Sequence, residues 1–204
     1  KHHKWFGLIL AFFIVMFSLS GLVLNHPSLF APFSVSRAML PSSYRYHNWN
    51  QGLMRGTIEW KKHILLYGNN GIWLTNCEAS AFTAFNKGLP HGVDNLQIRR
   101  LAETRRGQLF ALGQYALFQL HRNNTWHEVS LPNDEGNRLT DITVEADSLV
   151  VTSRSNVYVS LPPYRHFNKI TLPASQNNDG KVSLFRTIWL LHSGELFGTA
   201  GVMI

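Results

Sequence analysis

The chain has 204 residues, and its 19 Lys and Arg against 12 Asp and Glu give a formal net charge of +7 with neutral histidines. That length is sufficient for one membrane segment and one domain with a single core. The one cysteine, Cys77, excludes an internal disulfide, a dithiol redox centre and a CxxCH site for covalently attached c-type haem. We therefore expect no functional role for Cys77.

The first predicted element is a membrane helix from Trp5 to Leu24, twenty positions without a charge. At about 1.5 Å per residue, such a helix covers about 30 Å, the thickness of the hydrocarbon core of a bilayer. Lys1 and Lys4 precede it and no basic residue follows closely, which predicts a cytoplasmic N-terminus. Pro27 ends the helix at the outer boundary, because proline cannot continue the backbone hydrogen bonds.

A cleaved secretory signal is the alternative interpretation of this segment. A basic start, an apolar run and the small residues of Ser18–Gly21 resemble a signal with its cleavage site. The apolar run continues to Leu24, beyond that site, and this favours a retained helix. We therefore predict a membrane protein whose main domain lies on the far side of the membrane from the cytoplasm, with the lipid bilayer as its first partner.

The region after the helix is predicted to form short β-strands. Apolar pairs of segments separated by turn residues predict three hairpins, at residues 64–74, 109–120 and 149–159. Each hairpin is followed by a polar stretch and then Leu-Pro, at 89–90, 131–132 and 172–173, intervals of 42 and 41 residues. The aromatic residues Trp73, Phe118 and Tyr158 recur with them, at intervals of 45 and 40 residues.

A repeat of this length with about four strands is typical of a β-propeller blade. We therefore predict a mainly β fold in which residues 28–183 form a periplasmic domain of three propeller-like, meandering sheets. Residues 1–27 form the cytoplasmic flank and first membrane helix. Because propellers usually have about four to eight blades, three repeats predict an open or incomplete arrangement.

The positive charge is concentrated at two arginine pairs, Arg99-Arg100 and Arg105-Arg106. We expect them to protect an exposed strand edge from unwanted pairing. The alternative is attraction of anionic ligands or lipid headgroups. No nucleic-acid motif accompanies the arginines, so nucleic acid is not an expected partner.

The C-terminal segment 184–204 is predicted to begin a second membrane helix that continues beyond residue 204. Apolar residues dominate after Ile188, Trp189 suits an interface, and small glycines permit close helix packing in lipid. The alternative is an apolar helix packed on the β domain.

Both ends of the chain resemble the PepSY-associated transmembrane family. Residues 1–7, KHHKWFG, and the closing SGLVLNH at 20–26 look like its first helix, and LHSGELFG at 191–198 is similar to the start of its next helix. The resemblance covers about a quarter of the chain and implies a bacterial inner-membrane protein with several helices. It implies a variable periplasmic insertion in the middle and similarity to haem-bearing reductases of ferric siderophores. It also makes His3 a candidate ligand of a second haem, where the residue pattern alone indicates a basic flank.

Two further histidines lie at predicted outer helix ends, His26 and His192. Ionisable residues at such positions tend to face a partner or a cofactor. Two imidazoles on facing helices are what the iron of haem b requires, so we predict His192 and His26 as its axial ligands. Glu195 is expected to orient His192, and Arg186 or Arg37 to pair with a propionate. The alternative is that both histidines are ordinary interfacial residues.

No other chemistry is indicated by a motif. The sequence has no HExxH, GxSxG, P-loop or GxGxxG pattern, and no metal is expected apart from haem iron. The histidines of the β region are expected to be surface or packing residues: His47, His63, His91, His121, His127 and His166.

Two functions of different classes follow from these patterns. In the first, the protein is a haem-bearing electron-transfer subunit that reduces ferric chelates for iron uptake, with a ferric siderophore or its carrier as partner. In the second, it is a non-catalytic, membrane-anchored binding or assembly subunit that works with other membrane proteins.

Overall fold

The computed structural model describes residues 2–42, 53–132, 138–173, 180–198 and 201. The chain divides into two compact units, a helical unit of residues 1–30 and 173–204 and a β unit of residues 31–172.

The helical unit begins with helix α1 (His2–Asn25), which is followed by the short helix α2 (Pro27–Phe30). No residue of α1 is buried, although nearly all of its side chains are apolar. A core helix of a soluble domain would be covered by other elements, and α1 is not. Among the described residues, α1 is the one helix with the length and composition to cross a membrane, and it fits a membrane anchor or a signal sequence.

The C-terminal part of this unit contains helix α3 (Leu184–His192) and a 3-10 turn (Glu195–Phe197). The Ser183 hydroxyl caps α3 by accepting a hydrogen bond from the Arg186 backbone N–H at 3.1 Å. The helix stops at His192, and Gly194 then adopts a left-handed conformation with φ of 75°. At about 1.5 Å per residue, nine residues cannot span a bilayer. A second membrane helix therefore stays a prediction for the residues after this break, of which 199–200 and 202–204 lie outside the described residues.

The β unit contains three four-stranded antiparallel sheets, each a simple meander in chain order. The first sheet contains β1 (Met54–Trp60), β2 (His63–Gly68), β3 (Gly71–Thr75) and β4 (Phe82–Ala84). The second contains β5 (Ile98–Glu103), β6 (Leu109–Gly113), β7 (Leu117–Leu120) and β8 (Trp126–Val129). The third contains β9 (Leu139–Glu145), β10 (Ser148–Ser153), β11 (Val157–Ser160) and β12 (Asn168–Ile170). The prediction of three meandering sheets is confirmed, and the open arrangement stays a prediction.

The three predicted aromatic positions are equivalent in the pairing of the sheets. Each lies on the third strand of its sheet, two positions after the residue that closes a two-residue turn. Trp73 pairs with Leu66 and Ala84, Phe118 with Ala111 and Glu128, and Tyr158 with Val151 and Lys169. The sequence repeat therefore corresponds to a structural repeat. The equivalent residue of each sheet pairs with the second and the fourth strand of that sheet.

The first strands of neighbouring sheets lie side by side, β1 beside β5 and β5 beside β9. Two apolar clusters fill the space between consecutive sheets. One contains Trp60, Leu65 and Ile72 of the first sheet with Leu109 and Ala111 of the second. The other joins Phe110, Leu112 and Leu117 of the second sheet to the third. Strand β6 supplies both clusters from alternate residues, so all five of its positions are buried.

Candidate functional site

Two cavities, one in each unit, have linings that could hold a ligand. The cavity in the helical unit has a volume of about 560 Å³ and lies between α1 and α3. Beside it, the Asn25 side-chain amide donates a hydrogen bond to the Ser193 carbonyl at 3.0 Å. Its lining includes His192 together with Gly21, Gly194 and Gly201. The glycines leave room at this point because they have no side chains.

The structure brings one of the predicted haem ligands to this cavity. His192 is part of the lining, whereas His26, between α1 and α2, is not. His3 lies at the other end of α1, about 33 Å from Asn25 at about 1.5 Å per residue. The described lining therefore supplies one imidazole, and a haem here would need its second ligand from elsewhere.

The two charged residues predicted to support the haem bind each other. An Arg186 Nη atom donates to the Glu195 carboxylate at 3.3 Å, and the guanidinium of Arg186 lies 4.6 Å from the ring centre of Trp189. Both contacts keep the Arg186 guanidinium beside the Trp189 ring and the Glu195 carboxylate. The roles of Glu195 beside His192 and of Arg186 beside a propionate stay predictions, and the side chain of Arg37 lies outside the described residues.

The β unit contains the larger cavity, with a volume of about 810 Å³. It lies at the ends of strands where four turns meet, those joining β1–β2, β5–β6, β7–β8 and β11–β12. These turns supply Lys61, Arg106, Arg122 and Arg165, and none of the lining residues is Asp or Glu. Because like charges in a cleft reinforce one another, the cavity favours anions.

The described contacts of these four cations neutralise little of their positive charge. The Arg106 guanidinium lies 3.9 Å from Asp147, and both side chains are more than half exposed, so their attraction is weak. Lys61 Nζ lies 4.5 Å from the ring centre of Trp60, a cation–π contact that adds no negative charge. His121, which also lines the cavity, stacks on His127 with 4.1 Å between ring centres.

Two lining residues also present hydrogen-bonding atoms that no described residue uses. Trp60 Nε1, a donor, and Gln108 Oε1, an acceptor, are buried without a partner among the described residues. Buried polar atoms are normally hydrogen-bonded, so a ligand or water that reaches these atoms is favoured. The cavity therefore combines positive charge with an aromatic surface, and two of the side chains that form its wall contain buried polar atoms without a described partner.

The sequence analysis did not identify this cavity. Its cations are single residues from four different turns, separated by as many as 104 positions in the sequence, and only Arg106 was noted, as one of a pair. His121 was expected to be a surface or packing residue. The available signal was the recurrence of a basic residue one to three positions after the end of a strand, at Lys61, Arg106 and Arg122.

Comparisons with known proteins bear on the fold. No family model matches the chain, and no curated protein matches it. Among solved structures, the extracellular domain of a hybrid two-component system protein from B. thetaiotaomicron is 14% identical with a TM-score of 0.50. That match covers 57% of this chain and 16% of the other.

Virginiamycin B lyase from Staphylococcus aureus is also similar, with 14% identity and a TM-score of 0.48 over 60% of this chain and 42% of the lyase. This chain thus spans less than half the length of either protein. At such identities the likeness concerns the fold alone, which is β-propeller-like.

Proposed function

We propose that this chain is a bacterial inner-membrane protein whose first helix anchors a propeller-like β unit in the periplasm. The β unit binds an anionic small ligand in the cavity at its turns and carries out no chemistry on it. The protein then acts as a recognition subunit for other proteins of the membrane.

The helical unit supports the anchored part of the proposal. Helix α1 carries no charge from Trp5 to Leu24 and is mostly apolar there, and none of its residues is buried by the rest of the chain. Lipid is the environment that satisfies such a surface, since it accepts apolar side chains around the whole helix. Lys1 and Lys4 lie on the N-terminal side of the apolar run, and no lysine or arginine follows it closely. This asymmetry favours a cytoplasmic N-terminus and a periplasmic β unit.

The observation that carries the binding role is the charge of the larger cavity. Four cations and no carboxylate line a space of about 810 Å³, a volume typical of sites for small ligands. Arginine offers paired N–H donors that match the oxygens of carboxylates and phosphates. An anionic ferric chelate, the ligand class that the family resemblance implies, fits this chemistry.

The test is a calorimetric titration of the detergent-solubilised full chain with ferric citrate. We expect binding that weakens as salt is raised, because salt screens the attraction between exposed charges. The double variant Arg122→Gln with Arg165→Gln should bind at least about tenfold more weakly, which corresponds to about 1.4 kcal/mol.

Arg105→Gln with Lys169→Gln is the matched control, because it removes two exposed positive charges that are not part of the lining. This control variant should bind like the wild type. Equal weakening in both variants would show that only net charge matters, and unchanged affinity in Arg122→Gln with Arg165→Gln would reject the cavity as the site.

A haem-bearing reductase of ferric chelates is the second candidate function. The observation that favours it is the position of His192 at the glycine-lined cavity between α1 and α3. His192 would be the residue that holds the group, and bound haem would supply one-electron transfer. Among the described residues, no cluster of three His, Cys, Asp or Glu could hold a metal ion, so this candidate depends on His192 and a ligand from elsewhere.

An absorbance spectrum of the purified membrane protein tests this second candidate. Haem ligation by His192 predicts a Soret band that shifts on reduction with dithionite and is lost in His192→Ala. His166→Ala, a change in the β unit, should keep the band. A colourless wild-type protein, or full haem content in His192→Ala, would reject the assignment.

A further inference from the structure

Four arginines lie together at the ends of the inner strands that are remote from the anion cavity. Arg55 belongs to β1, Arg99 to β5, and Arg138 directly precedes β9. The backbone N–H of Arg154, in the turn between β10 and β11, donates to the Arg138 carbonyl at 3.2 Å. Because β1, β5 and β9 are neighbours in this order, the four side chains originate from adjacent strand ends.

Two of these arginines occupy irregular positions in their strands. The register of β1 with β2 shifts between Met54 and Gly56, and that of β5 with β6 shifts between Ile98 and Arg100. Arg55 and Arg99 are therefore the extra residues of equivalent β-bulges. A bulge turns a side chain away from the regular alternation of the strand, and bulges are frequent beside functional sites.

Arg99 is the least compensated member of this group. Its Nε atom is buried and has no hydrogen-bond partner among the described residues. Burial, followed by the charges of Arg55, Arg138 and Arg154, lowers the pKa of Arg99, and the opposite effect of Tyr115 is smaller. A guanidinium nevertheless remains protonated in proteins, so the group carries its charge at neutral pH.

The next residue in the sequence provides a contrast. One Nη atom of Arg100 lies 2.8 and 3.1 Å from the two carboxylate oxygens of Asp141, which satisfies that side chain across two sheets. Within the four-arginine group, the side-chain partner among the described residues is an amide, since Arg55 Nε donates to the side-chain carbonyl oxygen of Asn69 at 2.8 Å. An amide contributes no negative charge, so repulsion among the four guanidinium groups opposes folding.

We propose that these four arginines form a second anion site, which binds a phosphate group at the bulged ends of the inner strands. Guanidinium groups bind phosphate through paired N–H donors, and a dianion placed among four of them removes the repulsion. The site lies about 16 Å along β1 from the cavity described above, at about 3.3 Å per residue, and it is independent of the proposed function.

The test uses the full chain in a nonionic detergent and measures its melting temperature at increasing concentrations of inorganic phosphate. We expect the wild type to melt at higher temperature as phosphate increases, because a ligand that binds only the folded state stabilises it. Arg99→Gln should lose most of this response, because phosphate should bind the four-arginine site at least about tenfold more weakly in this variant. Without phosphate, Arg99→Gln should melt no lower than the wild type, since the repulsion is relieved.

Two matched variants show which site responds. Arg100→Gln removes the adjacent arginine, and Arg122→Gln removes a cation of the larger cavity, and both should keep the phosphate response. A parallel titration with glycerol phosphate distinguishes free phosphate from the phosphate group of a larger molecule. An equal response indicates that the site accepts the phosphate group of a larger ligand, and a weaker response indicates free phosphate.

Three results would overturn the proposal. They are a wild type that does not respond, an Arg99→Gln variant that responds fully, and a response lost in Arg122→Gln. Asp134 and Glu135 precede Arg138 in the sequence and lie outside the described residues. If phosphate stabilised only the variant Asp134→Asn with Glu135→Gln, the arginines would be neutralised by the chain itself, which also contradicts the proposal.

Discussion

Trp126 joins the first two sheets through several contacts. Its indole N–H donates to the Phe85 carbonyl at 2.8 Å, and its ring meets that of Phe85 edge to face. Its backbone N–H donates to the Lys87 carbonyl at 2.8 Å. The chain segment after β4 can lie this close to β8 because residue 88 is glycine, with φ of +95°.

We predict that Gly88→Ala lowers the free energy of unfolding by about 2–4 kcal/mol. An alanine Cβ would contact the Trp126 backbone carbonyl, and its backbone conformation would be strained. Gly107→Ala is the control, because Gly107 also has a positive φ but its nearest atom would be 3.9 Å away. It should cost about 1 kcal/mol, the backbone strain alone. Urea unfolding followed by tryptophan fluorescence measures both, and equal costs would contradict this account of Gly88.

Sequence reasoning identified residues with local signals and missed those brought together by the fold. Trp73, Phe118 and Tyr158 were predictable because each follows its turn at the same short spacing. Arg99 was expected on an exposed strand edge, but it lies on β5, which packs beside β1 and β9, and its three arginine neighbours were not predictable. Those neighbours lie 39 to 55 positions away in the sequence and meet only when the sheets pack.

At the scale of elements, strand β6 holds the β unit together because both of its faces are covered. Leu112 is fully buried between the second and third sheets. The ion pair of Arg100 with Asp141 joins β5 and β9, but the two side chains are 52% and 55% exposed. Solvent screens such a pair, so the apolar contact is expected to dominate.

We therefore predict that Leu112→Ala lowers the free energy of unfolding by about 2–5 kcal/mol. Asp141→Asn should cost less than about 1 kcal/mol, because it removes only an exposed ion pair. Urea unfolding of both variants is the measurement. A larger loss in Asp141→Asn than in Leu112→Ala would show that the ion pair, and not the core, joins the sheets.

Helix α3 is an element whose end the sequence did not predict. The apolar run after Ile188 indicated the start of a long helix, but Gly194 adopts φ of 75° and the helix ends at His192. A glycine within an apolar run is compatible with both helix packing in lipid and a helix end, and the sequence alone does not distinguish them.

At the scale of the molecule, the chain consists of a helical unit with uncovered apolar surface and a basic β unit with two groups of uncompensated cations. The mainly β fold with three meanders was predictable from periodicity, since turns and strands recur at a blade-like interval. The anion cavity was not, because cavities form between repeats and each repeat contributes one or two residues. For the proposed binding function, the β unit must face the compartment that contains its ligand.

The position of Cys77 allows a direct test of this central claim. Cys77 is the one cysteine of the chain, and it is exposed in the β unit. We predict that a membrane-impermeant maleimide labels it in intact spheroplasts, because the β unit lies outside the inner membrane. Cys77→Ser should give no labelling and serves as the control. Labelling of the wild type only after the spheroplasts are lysed would place the β unit in the cytoplasm and contradict the account.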